Sequence, residues 1–164
     1  GEVPFSLSKD FVIRGEITSR FKKFGGDTNY RRGWLLTGIS DAAFLASYPG
    51  GITQVRISSD SYPDLIISPV LKLLDDIPVF APDESVTVFI NGSNIDDRFR
   101  IRFPVEGGFQ TVAIEPDGNN IITGFRVPQT EQYNHFLVEA ISEGSFLENE
   151  ILRQEAVGVL FKVE

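Results

Sequence analysis

Polar and apolar residues alternate along most of this chain, and the alternation is sharpest between Arg98 and Phe103. There Phe99, Ile101 and Phe103 interleave with Arg98, Arg100 and Arg102. A strand sends successive side chains to opposite faces, so this run carries one apolar and one cationic face. A helix would scatter both sets around its circumference. The same period of two marks Asp10–Phe21, where Phe11, Ile13, Ile17 and Phe21 share one parity that is expected to be buried. Alternation recurs in Ile52–Ser58, blurred at Thr53-Gln54, and in Ala156–Val163, and strands are also expected at Phe109–Glu115, Ile121–Val127 and His135–Ser142.

Turn chemistry separates these runs. Gly25-Gly26-Asp27, Glu106-Gly107-Gly108, Pro116-Asp117-Gly118-Asn119 and Glu143-Gly144-Ser145 tolerate positive φ or preset a bend. Asn91–Asn94 is read as the tight connection of a central hairpin. On that reading the formal glycosylation triplet Asn91-Gly92-Ser93 is a turn. From Ser85 onward strands recur roughly every 10–15 residues without a long helix between them, which favours antiparallel pairing. Short helical turns are expected only near 41–47, 69–76 and 146–154, the first after a Ser40 or Asp41 cap and the second opening on Pro69, where Val70, Leu71, Leu73 and Leu74 equally fit a strand buried on both faces.

The expected fold is all-β: an antiparallel β-sandwich or barrel of jelly-roll or immunoglobulin-like type. It forms a single domain over residues 1–164, with 1–8 an extended N-terminal arm. Its expected core is Phe11, Ile13, Ile17, Val86, Val88, Ile90, Phe99, Ile101, Phe103, Val112, Ile114, Leu137, Val157, Val159 and Phe161.

Composition narrows the functional classes. The 164 residues include no cysteine, which removes disulfides, thiolate metal sites and cysteine nucleophiles. The formal net charge of −8 argues against general nucleic-acid binding, which needs a cationic surface. No apolar run approaches the roughly 20 residues of a membrane-crossing helix, so no transmembrane segment is expected. The single histidine, His135, has no nucleophile or positioned carboxylate near it in the sequence. No nucleophile elbow or phosphate loop occurs either. His135 is therefore read as structural or superficial, and the chain as non-enzymatic. No cofactor is expected. Calcium is the alternative, through Asp96-Asp97 with Asn91 and Asn94, or Asp117 with Asn119 and Asn120, although neither group has the spacing of an ordered calcium loop.

Candidate binding residues fall in two places. Lys22–Gly33 is the most cationic stretch, and Tyr30, Arg31 and Arg32 stand there just ahead of the only tryptophan, Trp34. Basic residues interleaved with aromatics suit a sugar, a phosphate or a protein partner. The bland alternative turns Trp34 back into the core. The second place is the row Arg98, Arg100 and Arg102. Three aligned cations in an acidic chain are expected to meet carboxylates on adjacent strands or on another molecule, with a merely solvating face as the alternative.

The function expected is that of a structural or interaction protein: a subunit of a virion, tail, filament or other surface assembly. Its partners would be copies of itself or other subunits, and a virion, extracellular or cell-surface location is favoured. The alternative is a carbohydrate-binding or adhesion module that stacks glycans on Tyr30, Trp34, Tyr48 and Tyr62. Charge is unevenly spread. Residues 14–32 hold six cations against two anions, a net of +4, and residues 115–164 hold three against nine, a net of −6. Opposed ends of this kind favour head-to-tail contacts, with Glu2–Leu7 the segment expected to add to a neighbour as a strand.

Overall fold

The computed structural model of the chain describes residues 14–40, 42–46, 51–67, 71–92, 97–114, 121–129, 133–146 and 153–164. The expected N-terminal arm, with the core positions Phe11 and Ile13, lies outside these residues. Among them, fourteen strands form three sheets, antiparallel except for one short pair. The largest sheet runs in the order β1 (Arg14–Glu16), β4 (Ala42–Ala46), β14 (Gln154–Val163), β13 (Tyr133–Ile141), β10 (Arg98–Val105) and β11 (Gly108–Ile114). The two-residue β8 (Val79–Phe80) lies parallel to the end of β14. The second sheet is β12 (Ile121–Arg126), β9 (Ser85–Gly92), β5 (Ile52–Ser58) and β6 (Leu65–Ile67). The third joins β2 (Ser19–Lys23), β3 (Trp34–Ser40) and β7 (Leu71–Leu73). The helical elements described are three 3-10 turns, at Tyr30–Gly33, Leu74–Asp76 and Glu143–Phe146.

The first two sheets bury one face each against the other, which makes the molecule an all-β sandwich. Ile101, Phe136, Val138, Val159 and Phe161 come from the large sheet, and Ile57, Val88, Ile90 and Phe125 from the second. Alternation is the cause. In β9 the alternate residues Val86, Val88 and Ile90 are buried, and in β10 Phe99, Ile101 and Phe103, with more exposed residues between them. β14 is buried at Val159, Phe161 and Val163 on the core side and at Gln154, Ala156 and Gly158 on the other. Aromatic rings fill the centre: Phe161 lies 5.4 Å from Phe80, 6.1 Å from Phe125 and 6.4 Å from Phe136, centroid to centroid.

Several expectations fail for identifiable reasons. β9 and β10 are not a hairpin, because β9 pairs with β5 and β12 whereas β10 pairs with β11 and β13 in the opposite sheet. Asn91 and Gly92 end β9, and the rest of the expected turn, 93–94, lies outside the described residues. The alanine-rich run expected as a helical turn is strand β4 over its described residues. Pairing with β1 on one side and β14 on the other overrides its local helix preference. In 69–76 the strand alternative holds for residues 71–73, which pair with β3, although Leu73 is exposed and not buried on both faces, and the 3-10 turn occupies only Leu74–Asp76. Of the third expected helical turn, 146–154, Phe146 ends a 3-10 turn and Gln154 begins β14, while residues 147–152 lie outside the described residues.

Leu137 faces outward, because β13 turns Phe136, Val138 and Ala140 inward. Val112 stands opposite buried Ile101, but on the sheet's edge strand, where it remains 37% exposed. Ile17 and Phe21 are each 57% exposed, so the apolar parity read through Asp10–Phe21 is not a core face where it is described.

A buried carboxylate fixes the entry to β9. Glu84 accepts hydrogen bonds from the Ser61 amide at 2.7 Å, the Ser61 hydroxyl at 2.8 Å and the Ala81 amide at 2.8 Å. Burial by itself raises the carboxyl's pKa. The hydrogen bonds from Ser61, Ser59 and Ala81 together outweigh burial and hold it below its ordinary value. A carboxyl lowered by folding stabilises the native state above its unfolded-state pKa, near 4.3, and that contribution disappears as pH falls through the lower folded value. Glu84→Gln is expected to cost about 1–3 kcal/mol at neutral pH. The difference from the parent should shrink below about pH 4 in urea melts run from pH 7 to 3. A constant difference across that range would refute the assignment.

Candidate functional site

The hairpin β2–β3 stands away from the sandwich. Every residue of β2 is exposed, as are Trp34 and Leu35 at the start of β3. Phe21 is 57% exposed, Phe24 61%, Leu35 50% and Trp34 47%. Four large apolar side chains on one two-stranded arm exceed the scattered exposure normal for a surface. Between them stand cations: the Lys22 ammonium lies 5.1 Å from the Phe24 ring centroid, and the Lys23 ammonium sits 2.6 Å from the Asp27 carboxylate.

The tip of the arm is tightly built. The Phe24 amide donates to the Gly33 carbonyl at 2.9 Å, and the Arg32 amide to the Asn29 carbonyl at 2.8 Å. Arg31 and Arg32 adopt left-handed φ values of 51° and 53°, which L-residues with a Cβ rarely hold. Gly33 follows at +73°, and a Cβ there would lie 2.5 Å from the Gly25 carbonyl oxygen, so only glycine fits. Tyr30 belongs to the same turn. Trp34 thus stays at the surface and does not turn back into the core, beside the two arginines in sequence.

The second candidate group, on β10, faces outward from the large sheet, and its members differ in partner. The Arg98 guanidinium is 3.6 Å from Glu143, both largely exposed. Arg100 grips Glu139 through two bonds, Nε at 2.6 Å and Nη2 at 3.0 Å, and Gln154 donates to the same carboxylate. Arg102 makes no ion pair among the described residues. Its guanidinium lies over the Phe109 ring at 5.0 Å, and His135 tilts against the same ring at 4.9 Å. Burial first, and then the charge of Arg102, lower the pKa of His135. Folding therefore favours the neutral imidazole, and the stability this gives is lost as pH falls from about 6.5 through the lower folded value.

Beside Arg102 the outward face opens into a crevice of about 280 Å³. Leu137, Gly158 and Leu160 line it from the sheet, and Ile17, Ile39 and Ser40 from the root of the hairpin. The two predicted groups do not meet. Arg102 faces the root of the arm, whereas Trp34 stands five residues from Ile39 along β3, about 17 Å at ~3.4 Å per residue. Sequence reasoning missed the crevice. Its signal was Gly158, isolated between Val157 and Val159 in an otherwise regular strand pattern.

The other candidate groups are less well supplied. Tyr62 packs edge-on against Phe80 and its hydroxyl accepts from the Val79 amide, so it is a structural ring and not a stacking platform. Tyr48 lies outside the described residues. Of the oxygen ligands proposed for calcium, Asn91 donates its amide to Gln54 and Asp97 is buried, while Asn94, Asp96, Asp117, Asn119 and Asn120 lie outside the described residues. No described helix is long and apolar enough to cross a membrane. Comparison with known proteins finds no matching family model, no matching curated protein and no matching solved structure.

Proposed function

We propose that this protein is a non-enzymatic structural subunit, and that the β2–β3 hairpin is the arm by which one copy grips the acidic body of the next. The observation carrying this reading is the composition of the exposed arm. From Ser19 to Ser40 it holds five cations and one anion, a net of +4, which leaves −12 for the remainder of a chain whose total is −8. Phe21, Phe24, Trp34 and Leu35 supply apolar area at its surface. Aromatic anchors ringed by arginine are what protein interfaces concentrate at their centres. Opposite charge steers the encounter, while burial of the rings supplies the lasting affinity. Among the described residues β2 is also an edge strand, with Lys22 and Lys23 limiting unspecific addition.

Sedimentation velocity across a salt series tests the reading. Association is expected to grow with concentration and weaken with salt. The double variant Phe21→Ser/Trp34→Ser should be monomeric with a melting temperature within a few degrees of the parent. A protein that stays monomeric at every salt and concentration overturns it. The second reading, a carbohydrate-binding module, is favoured by one observation only, the exposed ring of Trp34. Saccharides that quench its fluorescence saturably while the protein remains monomeric would favour that reading.

A further inference from the structure

We propose that the crevice at the root of the hairpin is a binding site for a small carboxylate amphiphile, its aliphatic tail lying on Gly158 between Leu137 and Leu160 and its headgroup on Arg102. The proposal goes beyond the assembly reading and does not depend on it.

Three observations converge. The first is chemical. Ile17 and Ile39 on one side and Leu137 and Leu160 on the other make the walls apolar, with few polar groups around them. A mostly apolar pocket with a few converging polar groups is the usual form of a small-molecule site. The second is electrostatic. Arg102 lines the crevice and is the one arginine of its row without an ion pair among the described residues. Arg98 and Arg100 are each matched to a glutamate, and in a chain of net charge −8 an arginine left unmatched at an apolar crevice suits an anionic ligand. A guanidinium stacked on Phe109 is also held in place, so little of its freedom remains to be lost on binding.

The third observation is Gly158 itself. It occupies the middle of a ten-residue strand, paired with Leu137 on one side and Ala42 on the other. Its backbone does not need glycine, since the positive-φ glycines described are Gly33 and Gly107. A glycine inside a regular strand gives up stability, and it often marks a place where another group approaches the backbone closely. Gly158 lines the crevice, on the same outward face of the sheet as its register partner Leu137.

Volume sets the ligand's size. A cavity of roughly 150 Å³ admits benzene, so about 280 Å³ admits on the order of twelve non-hydrogen atoms. Decanoate has that size, with a single negative head and an unbranched tail.

The test uses the only histidine as a reporter, because His135 lines the same crevice. Its ring proton resonance is followed by NMR at constant pH during titration with decanoate below its aggregation concentration. A saturable shift is expected. Acetate, the head without the tail, should produce none. Decan-1-ol, the tail without the charge, should bind about tenfold or more weakly. Arg102→Gln should weaken decanoate binding by about tenfold or more, the loss of one charge-assisted contact. Gly158→Val should abolish binding by filling the floor with a residue that strands accept. No shift with decanoate, equal binding of decanol, or unchanged affinity in Arg102→Gln would each overturn the proposal. Should Gly158→Val fail to fold, the surface variant Arg102→Gln still decides.

Discussion

Phe161→Ala is expected to remove about 3–5 kcal/mol from the stability of the domain, the usual range for a fully buried phenylalanine. The ring is wholly inaccessible and touches Phe80, Phe125 and Phe136, so no neighbour can collapse into the space without losing its own contacts. Phe80 comes from β8, Phe125 from the second sheet, and Phe136 and Phe161 from the centre of the large one. The cavity would therefore open where the two layers are joined. Domains of this size hold about 5–15 kcal/mol in all, and each kcal/mol is worth about 2–4 °C. A fall in melting temperature on the order of 10 °C or more follows. Phe21→Ala is the control: its ring is mostly in solvent, and the change should stay within about 0.5 kcal/mol. Urea melts of both variants decide. A loss below about 1 kcal/mol for Phe161→Ala would mean that the sheets are not joined through this ring.

That contrast also separates what was legible in the sequence from what was not. Strand character was legible wherever one face is buried and the other wet. In β10 the alternation of Phe99, Ile101 and Phe103 with three arginines maps directly onto buried and outward positions. Which face of a strand is covered was less legible. Phe136, Val138 and Ala140 point inward and Leu137 outward, yet β13 carries apolar residues on both parities, so period alone does not choose. Partnership was legible only in part: the turn at Glu106-Gly107-Gly108 does join the antiparallel pair β10 and β11. Asn91-Gly92 has the chemistry of a tight turn, but β9 and β10 belong to opposite sheets, and only long-range pairing decides that.

The same limit applies to the candidate site. The cations and aromatics of residues 22–34 were visible as a group. That they project instead of folding back goes with β2 having β3 as its only partner among the described residues. The crevice beside Arg102 joins residues from Ile17 to Leu160, a separation along the chain that no local pattern records.

The arginine row offers the last expectation, because its three members share a face and differ in burial. Arg98 and Glu143 are each more than half exposed and 3.6 Å apart, so water and salt screen them, and Arg98→Ala should change stability by at most about 0.5 kcal/mol. Arg100 is different. Its partner Glu139 is almost fully buried, and the two bonds from the guanidinium, with one from Gln154, are what keep that carboxylate satisfied. Breaking a wholly buried pair costs about 3–5 kcal/mol, because a charge is left without a partner. The Arg100 side chain is 42% exposed, so water can replace part of what it supplies, and about 2 kcal/mol is the expected loss for Arg100→Ala.

The loss belongs to the stranded carboxylate and not to the missing attraction, and this has a consequence. Arg100→Met combined with Glu139→Leu removes both charges and replaces them with apolar groups of similar bulk. That double variant should recover most of the stability lost in Arg100→Ala. Thermal melts at low and high salt would show the ordering Arg98→Ala, then the double variant, then Arg100→Ala as progressively less stable. The Arg100→Ala loss should persist in salt, because Glu139 is shielded from ions. A double variant less stable than Arg100→Ala would mean that the pair itself, with its two-point geometry, holds β10 and β13 in register.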